Sequence, residues 1–79
     1  MVTVHREAGF RFIIFTDDHE PAHVHVFGDG QAKINLAGQG GEPELVSAAG
    51  VKAGDLRKAM RIVAEQQAYL LEQWKAHHG

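Results

Sequence analysis

Residues 17 to 27 read DDHEPAHVHVF and hold three of the chain's six histidines, two aspartates and a proline. Three kinds of chemistry suit that set. His23 and His25, two apart on an extended segment, put both imidazoles on one face with Cβ atoms roughly 6–7 Å apart, close enough to share one ion. His19, from the preceding loop, could supply a third nitrogen, and Asp17 or Asp18 could ligate or fix an imidazole tautomer. Three ligands and an open position suit zinc or nickel and would lower the pKa of a bound water for hydrolysis. Without a metal, two neighbouring imidazoles repel when both are charged, which lets one act as acid and the other as base near neutral pH. With His23 and His25 as the catalytic pair, RNA is cleaved by removal of the 2′-hydroxyl proton and protonation of the leaving oxygen. Arg11 or Lys33 would hold the phosphate.

The third arrangement is structural. His19 and His23 would bond neighbouring backbone, the aspartates would cap their own turn, and His25 would sit half-buried beside Phe27. Two familiar motifs fail. Phe27 stands where the alternating motif of the histidine-triad nucleotide hydrolases needs its third histidine, and no helical His-Glu-x-x-His is present. The residues therefore leave open whether this is an enzyme.

Positioning these groups requires strands. VTVHR (2–6) alternates, Glu7-Ala8-Gly9 reads as a tight hairpin turn, and FRFIIFT (10–16) is aromatic and β-branched. DDHEP (17–21) is a loop, with Pro21 holding the residues before it extended. AHVHVF (22–27), the Gly28-Asp29-Gly30 turn and QAKINLA (31–37) form a second hairpin. GQGGEP (38–43) reads as a flexible loop and ELVSA (44–48) as a short last strand. From residue 52 to 77 the spacing turns helical: Leu56, Met60, Val63, Leu70 and Trp74 form a stripe with Leu71 beside it, interrupted by Gln67. Ile62 and Tyr69 fall off that stripe and read as scattered surface residues or a small contact patch for a partner, and His77-His78-Gly79 as a frayed end.

The expected fold is a single α+β domain over 1–79. An antiparallel sheet of four or five strands occupies 1–48, and one long C-terminal helix, 52–77, packs on one face. One helix covers one face only. Strand parity then sends Val2, Val4, Phe10, Phe12, Ile14, Val24, Val26, Ile34 and Leu36 to the helix. The open face receives His5, Arg11, Ile13, Phe15, His23, His25, Phe27, Lys33 and Asn35. Exposed Phe15 and Phe27 there would favour a protein partner or a homodimer.

Apolar residues at 44% and charged ones at 23% place the chain among folded globular proteins. With no cysteine, disulfides and thiolate zinc sites are excluded. A net charge of −2 gives no global field for nucleic acid, so RNA binding would need a local basic face. MVTVHREAG lacks the apolar core of a signal peptide and no apolar run is long enough for a bilayer, so the expected setting is the cytoplasm, without membrane contact.

DHEPAHVHV followed by a helix carrying LLEQW resembles the family of short bacterial proteins catalogued as domain of unknown function 4160. Its signature, acidic-His-x-Pro-Pro-His-x-His, falls on Asp18, His19, Pro21, His23 and His25, with Ala22 in place of the second proline; the helix pair falls on Leu71 and Trp74. The resemblance implies no established activity. Its genomic associations imply one component of a toxin–antitoxin pair, here the toxin side, with a small antitoxin protein as partner and RNA as target.

Overall fold

The computed structural model describes residues 1–78. Five strands form one antiparallel sheet in sequence order: β1 (Val2–Glu7), β2 (Phe10–Ile14), β3 (His23–Phe27), β4 (Gln31–Asn35) and β5 (Glu44–Ala49). Two helices follow, α1 (Ala53–Glu65) and α2 (Gln67–His78). The α+β reading holds, and β3, which carries His23 and His25, is the central strand.

The helical segment is two helices rather than one. At Gln66 the backbone leaves helical values (φ −102°, ψ 14°), although Gln66 N still donates to Ile62 O and Leu70 N to Gln66 O. Gln67, the polar residue that breaks the apolar stripe, follows at once. Its Nε2 donates to Leu36 O and Gly41 O, both at 2.7 Å. That amide pins the glycine loop, which is further closed by Gly38 N to Glu42 O and Gly41 N to Gly38 O. The loop that composition marks as flexible is thus tied to α2.

Phe12, Ile14, Val24, Ile34 and Leu36 pack against Ala59, Ile62, Val63 and Leu70 in one core. Ile62 is fully buried, contrary to its expected place on the surface. Ala59, also buried, explains this: a small residue on the sheet-facing side lets α1 approach closely, so the covered arc widens to take in Ile62. Burying a side chain of that size contributes about 1.5–3 kcal/mol before entropy. Tyr69 remains exposed, yet its hydroxyl donates to Val4 O at 2.8 Å and ties α2 to the outermost strand.

The register slips in β5, where Val46 is an extra residue between the Lys33–Ser47 and Ile34–Leu45 pairs, and in β1. Val2 and Thr3 face Ile14 and Ile13, then the register slips, so that His5 faces Phe12 and Arg6 faces Arg11. One extra residue in a strand reverses every side chain beyond it. His5 therefore lies on the helix side against Phe12 and Tyr69, not on the open face as alternation from Val2 requires. Arg6 takes the opposite course. The turn joining β1 to β2 has positive φ at both Ala8 (55°) and Gly9 (82°), the backbone of a two-residue hairpin whose twist matches its strands. In the next hairpin, a Cβ on Gly30 would lie 2.3 Å from Ala49 O; glycine there lets the end of β5 close onto the turn.

Candidate metal centre

The Asp17–Ala22 segment is held at three points. Asp18 N donates to Phe15 O, Trp74 Nε1 donates to Glu20 Oε1 at 3.1 Å, and Leu36 N donates to Ala22 O. Fixing both ends of the loop brings Asp18 over the start of β3. There Asp18 Oδ2 accepts from His23 Nε2 at 2.9 Å and from His25 Nε2 at 3.1 Å. The two rings stand 5.1 Å apart, so the projection of both histidines to one locus, expected from the pleat, is what the strand produces.

The two imidazoles differ in surroundings. His23, expected on the open face, is instead buried at 4% exposure beside α2, its ring 5.1 Å from the indole of Trp74. His25 retains 25% of its side-chain exposure, beside Phe15 at 4.6 Å and opposite Ile13 and Lys33 in the sheet. His78 stacks on the sole tryptophan at 3.7 Å, and its Nδ1 donates to Trp74 O. The last turn of α2 is therefore ordered at His78 and backs the site, where the sequence reads as frayed.

His23 carries the chemical information. Its Nδ1 lies 2.9 Å from Pro21 O, which can only accept, so that nitrogen bears a proton. A neutral ring would then aim the bare Nε2 lone pair at the Asp18 carboxylate, which is repulsive. A second ring proton removes the conflict, and so does a cation between the two groups. Asp18 itself is drawn in two directions. Burial raises its pKa, but the hydrogen bonds from His25 and His23 and their charge outweigh burial and hold it below the usual aspartate value.

Asp18, His23 and His25 each offer one ligand atom, and the three lie within 4.8 Å of one another. Donor chemistry and geometry both fit a small divalent transition ion. Two nitrogens and one carboxylate at bond lengths of 2.0–2.2 Å would stand roughly 3.3 Å apart around a tetrahedral ion, a few tenths wider than the two contacts that Asp18 makes. The Nδ1–H bond to a carbonyl is also the usual support of a ligating histidine. His19 is exposed and outside the cluster; Asp18 occupies the third place that the sequence reading gave to His19. Lys33 lies one strand from His25, and Arg11 belongs to the next row of the sheet, over Phe27. In the sequence Trp74 is one member of the helical stripe with no sign of its place beside His23, and the Pro21 carbonyl and Arg6 carry no signal of their own.

Fold and site together define a small α+β domain with a two-histidine, one-carboxylate cluster at the head of its central strand. Residues 9–75 match the model of the family described as Domain of unknown function (DUF4160), and the chain belongs to that family. No curated protein and no solved structure matches it. Among the described residues, no helix is long and apolar enough to cross a membrane.

Proposed function

We propose that this domain binds one divalent transition ion, of the zinc or nickel class, through Asp18 Oδ2, His23 Nε2 and His25 Nε2. The observation that carries the reading is the pinned tautomer of His23: its proton is committed to Pro21 O, and its remaining nitrogen meets a carboxylate and a second imidazole. When bound, such an ion supplies Lewis acidity and a more acidic water. The chain's part is to orient. Pro21 and Trp74 fix the His23 ring, Asp18 balances charge, and the exposed edge of His25 leaves one approach from the open face.

The test is titration of the metal-free protein with zinc, followed by heat release and thermal midpoint, and with nickel, followed by Trp74 fluorescence. One-to-one binding should raise the midpoint by mass action. Asp18→Asn and His25→Ala should weaken binding at least about tenfold. A wild type whose midpoint does not move, or a His25→Ala protein that binds as tightly, sinks the metal reading.

A second reading is favoured by Lys33, directly opposite the exposed imidazole. Here His25 and His23 act as an acid–base pair on RNA without a metal, Lys33 holding the phosphate. The cellular form of that activity is a transcript-cleaving toxin restrained by a small partner protein. Growth on inducible expression, wild type against folded His25→Ala, checks it: a harmless wild type, or a variant equally harmful, removes this reading.

A further inference from the structure

The register slip in β1 creates a second feature of the open face. Arg6 and Arg11 stand directly opposite each other across β1 and β2. Like charges in that position destabilise a sheet. No ion pair relieves them, since the ion pairs among the described residues all use histidine. Glu7, next to Arg6 in the chain, projects to the helix side and bonds His5 at 2.9 Å. Asp29 lies in the β3–β4 turn, and Glu44 lies beyond Asn35 in the His23 row.

The row continues from Arg11 to Phe27, Gln31 and Ala49; the adjoining row runs Ile13, His25, Lys33, Ser47. The Arg11 guanidinium lies 5.8 Å from the centre of the half-buried Phe27 ring. A chain of net charge −2 thus gathers three cations and an aromatic ring on two neighbouring rows with no carboxylate of their own, Asp18 reaching His25 from the loop.

We propose that this face is a binding surface for single-stranded RNA. Two unneutralised guanidiniums side by side call for an anion with several acceptor oxygens, which a phosphodiester provides bidentately. By strand spacing and rise, the Cα atoms of Arg11 and Lys33 stand roughly 12 Å apart, so side chains standing off the sheet would set their charges at separate phosphates of one strand. The Phe27–Arg11 pair offers a plane on which an unpaired base stacks, and a stacked duplex has no such base free. Gln31 and Ser47 add amide and hydroxyl groups suited to a ribose 2′-hydroxyl, which DNA lacks. The surface gives the second reading above its substrate contacts, yet binding needs neither cleavage nor metal, so the two can fail separately.

The experiment is anisotropy of a fluorescein-labelled RNA of about 12 nucleotides at low salt with EDTA present, so that metal binding cannot contribute. Wild type should bind, with affinity falling steeply as salt rises. Arg6→Glu and Arg11→Glu should each weaken it about tenfold and flatten the salt dependence, while Phe27→Leu should cost several-fold. Arg6→Gln should also raise the thermal midpoint of the RNA-free protein by about 1–4 °C, because it removes the opposed charge. Absence of wild-type binding overturns the proposal. So does equal binding of duplex RNA or of the same sequence as DNA, or undiminished binding by charge-reversed proteins whose circular dichroism is native.

Discussion

The open face of the sheet has two ends built on opposite principles. At the Asp18 end, the Asp18 carboxylate, both His23 nitrogens, the Pro21 carbonyl and the Trp74 indole all have partners. At the Arg6 end, two guanidiniums face each other with no carboxylate between them. The first is pre-organised: loop, strand and helix fix its geometry before anything binds. The second holds uncompensated charge, and its favourable interactions must come from outside. Satisfied and unsatisfied groups thus both point to ligands, the one by geometry and the other by cost.

The largest expected effect comes from removing the wall of the pre-organised end. Trp74→Ala should cost about 3–5 kcal/mol in urea unfolding, because it opens a cavity in the core and frees Glu20 from the loop. Trp74→Phe, which keeps most of the ring contact but not the indole donor, should cost distinctly less. Equal losses would show that the hydrogen bond to Glu20, not packing, holds the loop.

A smaller effect separates the two ends by pH. Asp18 has a lowered pKa in the folded state, so its contribution to stability is complete above about pH 4 and is lost as pH falls through the folded value. Asp18→Asn should flatten the acid limb of a stability-against-pH curve, and Arg11→Gln should leave that limb unchanged. The smallest effect lies outside both ends. Ala8 holds a positive φ that costs a non-glycine residue, so Ala8→Asn, which tolerates that conformation and keeps the turn type, should add about 0.5–1 kcal/mol to chemical denaturation stability. A change at Ala8 that altered RNA or metal binding would mean that the hairpin also shapes the face.

Much of the histidine site is legible in the sequence because it depends on a strand's fixed period of two. Val24 and Val26 are buried in the core, so His23 and His25 project together to one locus, although Trp74 of α2 covers His23 there. The identity of the third ligand depends instead on how a six-residue loop folds over, and no periodicity governs that. Asp18 rather than His19 turns inward only because Phe15, Trp74 and Leu36 fix the loop around it. Ile62 was hidden for a related reason: the width of a helix's covered arc is set by how near the sheet lies, which depends on Ala59. The divided helix and the tied glycine loop turn on one side chain, Gln67, whose partners lie 31 and 26 residues away. Arg6 was unreadable because alternation cannot announce its own interruption.

The irregularity in the outermost strand lets its length vary without moving charge. Deleting one codon between Thr3 and His5 would remove the extra residue and straighten the strand, yet Thr3 would still meet Ile13 and Arg6 would still face Arg11, because the hairpin turn sets the register on that side. Related chains could thus differ in count at that spot while keeping both the architecture and the cationic surface.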